Sequence, residues 1–124
     1  MSNENLRQRT KQFALRVIRL AESLSRDRTC DVLGNQLLRA GTSVGANYRS
    51  ACRSKSTADF ISKMGTVEEE ADESGYWMEL LVDAGKIKPA KISALMKEAD
   101  ELTAIAVASI NTARRSASRR ERAR

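Results

Sequence analysis

Apolar side chains recur along the chain at the three- and four-residue spacings of an amphipathic α-helix. The first such stretch covers about residues 4–26. Its apolar stripe consists of Leu6, Phe13, Val17, Leu20 and Leu24. The pattern predicts a helix that buries one face and leaves the other in water.

Three further stretches repeat this pattern, at about residues 31–53, 57–84 and 89–113. The third has the strongest period, and its stripe consists of Phe60, Met64, Val67, Ala71, Ser74, Met78 and Leu81. The stripe of the second stretch passes through Asn47, so we expect a half-buried amide there.

Residues that begin or end helices lie between these stretches. In chain order they are Thr29 or Asp31, Ser56 or Thr57, Gly85, and Pro89. Short loops between four long helices favour an up-down-up-down four-helix bundle. The predicted fold class is therefore all-α, with one domain over residues 1–113 and an Arg-rich tail over residues 114–124.

The composition argues against catalysis. The chain has 124 residues and no His, which removes the commonest general acid and base and every Ser-His or Cys-His pair. Glu69 and Glu73 share a face of the third helix, but carboxylate di-metal bundles also use His ligands. We predict no catalytic residue, no metal site and no cofactor.

The chain shows no pattern of a targeting segment. Charges occur throughout the first 25 residues, and the longest apolar run is the five residues 104–108. We therefore expect no signal peptide, no membrane span and a cytoplasmic location.

Charge is unevenly distributed within a total of +6. Residues 6–55 contain eleven basic and three acidic groups, residues 56–113 contain five and eleven, and residues 114–124 contain six Arg and one Glu. Two interpretations stay open. The basic half can pack beside the acidic half, or it can present a face to nucleic-acid phosphates.

The candidate nucleic-acid-binding residues fall in three groups. They are Arg9, Arg16, Arg19 and Arg26 on one face of the first helix, Arg39, Arg49 and Arg53 on the second, and Arg114, Arg115, Arg119 and Arg120 in the tail. The tail lacks apolar spacing, so we expect it to fray unless it meets a polyanion.

Self-association is a second expectation, because the helices carry more apolar residues than one core of this length needs. Gly41 and Gly45 allow close approach of another helix, in this subunit or the next. Tyr76 and Trp77 point about 100° apart on a helix, so one can be core and the other interface. The candidate interface residues are Gly41, Gly45, Tyr48 and Trp77.

Several segments together resemble a known bacterial family. They are QLLRAGTSVGANYR at 36–49, SK at 54–55, DFISKM at 59–64, EEADE at 69–73 and YWMELL at 76–81. The chain resembles the four-helix-bundle proteins encoded in intervening sequences of 23S ribosomal RNA genes, the S23 family, over residues 6–112. Gly65, Gly75 and the Arg-rich tail depart from the family pattern.

The resemblance implies an up-down bundle, a ring-like homopentamer and no known catalysis. The family is similar to the accessory variability determinants of diversity-generating retroelements, which are homopentamers that bind nucleic acid and a reverse transcriptase. By that analogy alone, a reverse transcriptase or another ribonucleoprotein is a candidate partner. We predict a non-catalytic oligomer that binds RNA or a ribonucleoprotein through its basic surfaces. The alternative is a protein-protein scaffold that does not bind nucleic acid.

Overall fold

The computed structural model describes residues 3–124, with side chains from residue 5 onward. This part of the chain contains no strand and forms four helices, α1 (Asn3–Ser23), α2 (Arg28–Cys52), α3 (Thr57–Asp83) and α4 (Pro89–Arg122). Within residues 3–124, each helix contacts its neighbours in a closed order, α1 with α2, α2 with α3, α3 with α4 and α4 with α1, whereas the diagonal pairs bring no Cα atoms within 8 Å of each other. The fold is a four-helix bundle with short connections.

The core is built from the stripes that the sequence predicted, with one shift. Its largest fully buried side chains include Phe13, Leu37, Met64, Met78, Leu81, Ile92 and Leu102. In α2 the fully buried stripe passes through Tyr48, which is 3% exposed, and Asn47 beside it is half-buried, as predicted. The Asn47 amide donates to the Ser43 carbonyl of its own helix, at 2.8 Å. No described helix is long and apolar enough to cross a membrane.

The caps explain where the middle helices begin. α2 starts earlier than expected because Asp27, and neither Thr29 nor Asp31, is its N-cap. The Asp27 carboxylate accepts a hydrogen bond from the Cys30 backbone N–H at 2.8 Å, which satisfies a donor that the helix itself cannot. At α3 the prediction is confirmed, since Ser56 Oγ accepts from the backbone N–H of Asp59 at 3.0 Å.

The turn between α3 and α4 also follows the prediction. Gly85 adopts a φ of 73°, a left-handed conformation that favours glycine. Its N–H donates to the Val82 carbonyl, and the Lys86 N–H donates to the Leu81 carbonyl, both at 2.9 Å. This pair of backbone hydrogen bonds ends α3. Pro89 is the first residue of α4, where its missing N–H costs nothing.

Two glycines of α2 let α1 approach closely within the same subunit. A Cβ added at Gly41 would lie 2.8 Å from both methyl carbons of Val17, and one added at Gly45 would lie 3.2 Å from Thr10 Oγ1. The pairing also sets the register, because it places the first turns of α1 beside the last turns of α2.

The Arg-rich segment corrects the expectation of a frayed tail, because α4 continues through it to Arg122. Ala and Arg have high helix propensity. The small side chains Ala113, Ser116 and Ala117 are half-buried and continue the inward face of α4 beyond the buried Ile110. Arg120 also donates to the Thr57 hydroxyl at the start of α3, at 3.0 Å.

Candidate nucleic-acid interface

Three segments that are distant in the sequence meet at one end of the bundle. The Thr10–Gly45 contact places the start of α1 beside the end of α2. The loop after α2 leads directly into α3, and the Arg120–Thr57 hydrogen bond brings the end of α4 to the same place. Residues 3–11, 49–63 and 111–124 therefore share this end, which we call the basic end.

Charge is concentrated there. The three segments of the basic end contain thirteen basic and three acidic residues, a net charge of +10. The opposite end is formed by residues 22–31 and 79–91, which contain five basic and five acidic residues. There Lys86 pairs with Asp27 at 3.4 Å. The positive potential of the protein therefore has a direction along the bundle axis.

Six of the predicted nucleic-acid-binding residues lie at the basic end and are exposed. They are Arg49, Arg53, Arg114, Arg115, Arg119 and Arg120. None forms an ion pair with any carboxylate among the described side chains. Arg115 donates to the Thr112 hydroxyl, at 3.4 Å, and Arg114 lines a groove with Glu68 and Glu69.

The structure corrects the prediction for Arg9, because its guanidinium pairs with carboxylates of the same subunit. It contacts Glu98 at 2.6 Å and Glu101 at 2.9 Å, and both carboxylates belong to α4. The hydrogen bonding of Arg9 to Glu98, in which the guanidinium donates, raises the pKa of Arg9. α1 contacts α4 much less than it contacts α2, and these ion pairs bridge the thin α1–α4 interface.

The other predicted arginines do not join one ridge with the basic end. Arg16 is half-buried and Arg19 is exposed further along α1, whereas Arg26 lies in the loop after α1, because this helix ends at Ser23 and not at residue 26 as predicted. Arg39 donates to Gln36 at 2.5 Å. The charge of Arg39 also acts on Glu70 of α3. Burial raises the pKa of Glu70 overall, and the positive charge of Arg39 opposes part of this rise.

Three further cations belong to the basic end and were not predicted. Arg7, Lys11 and Lys55 are exposed there and form no ion pair with a carboxylate in the part of the chain whose side chains are described. Arg7 and Lys11 lie on the α2 side of α1, whereas the prediction used the opposite side. The glycines of α2 were the sequence signal that could have identified these residues. Their close packing against α1 determines which residues of the two helices lie side by side.

The predicted interface residues lie mostly inside the subunit, which corrects that prediction. Gly41 is buried against Val17, Gly45 packs on Thr10, and Tyr48 is buried in the core. Burial is also the main reason why the pKa of Tyr48 is raised. Their surfaces are already used by the α1–α2 contact.

Of the two adjacent aromatic residues of α3, the more exposed one is not the one that was predicted to lie at an interface. Trp77 is half-buried and packs against the core, and Tyr76 is 52% exposed. The two rings meet edge to face, with centroids 5.1 Å apart. Tyr76 is therefore the more accessible of these two side chains.

The basic end can bind phosphates without any catalytic group. Guanidinium groups donate paired hydrogen bonds to phosphate oxygens, and exposed cations release counterions from a polyanion when it binds. No three metal-ligating side chains come together among the residues described.

Comparison with known proteins assigns the chain to a family. The family model described as 23S rRNA-intervening sequence protein matches residues 3–108. The fold is similar to a crystal structure of a protein with unknown function from the S23 ribosomal protein family of Bacteroides thetaiotaomicron, with a TM-score of 0.83. The two chains are 32% identical, and the match covers 90% of this chain and 99% of that one. No curated protein matches significantly. The chain belongs to the 23S rRNA-intervening sequence protein family.

Proposed function

We propose that this protein is a non-catalytic, self-associating bundle that binds the phosphate backbone of nucleic acid through its basic end. The observation that carries the proposal is the net charge of +10 at one end, set against a balanced opposite end. An internal role for these charges would require nearby acids. Among the described side chains, two of the thirteen cations of the basic end, Arg9 and Lys63, form ion pairs with acids, and the others do not.

The helical scaffold makes this surface an efficient polyanion site. Arg49 stands on the last turn of α2 and Arg53 is the C-cap of that helix. Arg114, Arg115 and Arg119 stand on α4. Their backbones are already ordered, so less conformational entropy is lost on binding than with a flexible tail. Contacts to phosphate carry no sequence information, and we therefore propose general binding with little sequence preference.

RNA is the proposed form of nucleic acid, and the proposed assembly is a homo-oligomer of five subunits. The name of the family supports RNA because it refers to an intervening sequence of 23S rRNA. The number five rests on the resemblance to pentameric bundles. Several copies of the basic end in one assembly would raise the avidity for a long polyanion above that of one subunit.

A position test separates the basic end from total charge. The basic-end variant replaces Lys11, Arg49 and Arg53 by Gln. The matched control replaces Arg26, Arg28 and Lys88 by Gln at the opposite end. Both variants lose three exposed cations, so they have the same net charge. We expect the basic-end variant to bind an unstructured RNA at least ten-fold more weakly than the control, measured by fluorescence anisotropy at low salt.

Two readouts keep the result interpretable. Light scattering and circular dichroism establish that both variants keep the wild-type mass and helix content. If the two variants then bind RNA equally, the position of the charge is irrelevant and the basic-end site is wrong. A third variant with Arg115, Arg119 and Arg122 replaced by Gln shows how much of the affinity comes from the end of α4.

A protein-protein scaffold without nucleic-acid binding is the second candidate. The Arg9 ion pairs with α4 favour it, since they show that basic residues of the first half do serve packing against acids of the second half. Absence of RNA and DNA binding by the wild-type oligomer at low salt would select this candidate.

A further inference from the structure

An open pocket of about 380 Å³ lies in the surface of the basic end. It is formed by the end of α2, the loop that follows, the first turn of α3 and the last part of α4. All of its lining belongs to the three segments of the basic end, and it includes Cys52, Lys55, Thr57, Phe60, Ala113 and Arg120. Pockets for small molecules have volumes of about 300–1,000 Å³, so this one has room for a single ligand group.

Phe60 gives the pocket an aromatic surface. It is the one aromatic residue in the three segments of the basic end. Its ring packs against the core but is only half-buried, and it lines the pocket together with the small apolar side chain of Ala113. Unpaired bases of RNA pack on aromatic side chains, because every base has a flat π face. This part of the pocket therefore suits a base.

The charged groups in the lining are both positive. They are Lys55 and Arg120, and within the described residues no carboxylate lines the pocket. The nearest acid along the chain, Asp59, pairs with Lys63 at 3.1 Å. A phosphate attached to a base in the pocket would therefore meet cations at its edge, and the attraction would not be cancelled by a carboxylate of the lining.

Arg120 forms the boundary between the pocket and an adjoining groove. Both share Thr57 and Arg120, and the groove is also lined by Glu121 and Arg124. The Arg120 guanidinium donates to the neutral hydroxyl of Thr57, at 3.0 Å. It can exchange this bond for a stronger, charge-assisted bond to a phosphate. Its planar group can also stack on a base.

We propose that the pocket receives one unpaired base of the bound RNA strand, packed on Phe60 beside the Arg120 guanidinium, with the neighbouring phosphates on the cations of the basic end. This inference rests on the proposed function and adds to it a preference for strands with free bases. The bases of a duplex are already paired and stacked, so their faces are not available. Contact with the face of a base selects no particular sequence.

A cysteine in the pocket reports whether the pocket is occupied. Cys52 lines the pocket and is half-buried, whereas Cys30 lies at the opposite end and is 2% exposed. Alkylation by iodoacetamide, followed by mass spectrometry of the peptides, measures the two thiols separately. Saturating single-stranded RNA of mixed sequence should slow the alkylation of Cys52 several-fold. A sugar–phosphate oligomer of the same length without bases, also at saturation, should leave Cys52 close to its rate in the free protein.

Two substitutions without a charge change test the pocket itself. Ala113→Leu fills it from α4, and Phe60→Leu removes the aromatic face but keeps an apolar side chain. Ala108→Leu is the matched control, because Ala108 is exposed on α4 and does not line the pocket. The two pocket variants should bind single-stranded RNA on the order of ten-fold more weakly than the wild type and the control. Their slope of log K against log salt concentration should be unchanged, because the phosphate contacts remain.

The other outcomes overturn the inference. If the strands with and without bases bind equally and protect Cys52 alike, no base enters the pocket, and phosphate binding by the basic end stands. If a nucleoside monophosphate protects Cys52 and the RNA strand does not, the pocket binds a free nucleotide instead. If neither strand binds at low salt, the proposed function fails together with the inference. The alkylation experiment uses the wild-type protein, so it decides the question even where circular dichroism shows that a variant is unfolded.

Discussion

Replacement of Gly41 by Ala tests the closeness of the α1–α2 packing. The new methyl carbon would lie 2.8 Å from both methyl carbons of Val17 and 3.0 Å from its Cβ. Val17 is fully buried and β-branched, so its side chain has almost one rotamer in a helix and cannot turn away. Overpacking of this kind costs about 1–3 kcal/mol. The substitution also gains about 1 kcal/mol of helix propensity.

Gly65→Ala is the matched control for this substitution. A Cβ at Gly65, in the middle of α3, meets no atom within 4 Å. It should gain the same helix propensity of about 1 kcal/mol without a clash. The two variants are therefore expected to differ by about 2 kcal/mol in the free energy of unfolding, or by roughly 8 °C in Tm for a chain of this size.

Chemical denaturation of both variants at one protein concentration measures the difference. The added substitution Val17→Ala should make Gly41→Ala less costly, since it removes the methyl groups that clash. Equal stability of Gly41→Ala and Gly65→Ala would refute the close approach of α1 to α2.

Three further predictions follow from single contacts. Arg9→Gln should lower the free energy of unfolding, measured by denaturant titration, by about 1 kcal/mol. The reason is that it leaves Glu98, whose side chain is only 16% exposed, without its partner. Unchanged stability would mean that the α1–α4 ion pairs are dispensable. The Cys30 N–H lowers the pKa of Asp27 below its usual 3.8, so this carboxylate stabilises the fold above about pH 4 and loses that effect as the pH falls through its folded pKa. Asp27→Asn should thus show a smaller loss of Tm between neutral and acidic pH than the wild type, and an equal loss would contradict this. Ala117→Gly should cost about 1 kcal/mol of local helix stability and reduce amide hydrogen-exchange protection after residue 113, which an unchanged exchange pattern would disprove.

The sequence predicted the fold because the helices depend on local patterns. The apolar stripes, the Ser56 cap, the Gly85 turn and Pro89 act within a few residues, so each is visible in the chain. Asp27 was missed as a cap because several adjacent polar residues can accept the same backbone N–H, and only the helix start decides among them.

The candidate site was harder to predict because it depends on register between helices. The sequence shows that Arg9 is on a polar face, but not that Glu98 and Glu101 of α4 are opposite it. In the same way, Lys11 and Arg49 are distant in sequence, and only the packing of Thr10 on Gly45 brings them to the same end of the bundle. The end of α4 was misjudged because the stripe of small residues was not followed beyond residue 113, although the half-buried Ser116 and Ala117 continue it.

The most direct test of the proposed function is the salt dependence of RNA binding by the wild-type protein. Single-stranded RNA loses about 0.7 counterion per phosphate contacted. Four contacts at the basic end therefore predict a slope of about −3 for log K against log salt concentration, or roughly a 50-fold loss of affinity for a four-fold rise in salt. If the basic end binds phosphates, binding should weaken in this way and equally for unrelated sequences. No binding at the lowest salt concentration, or binding insensitive to salt, would contradict it.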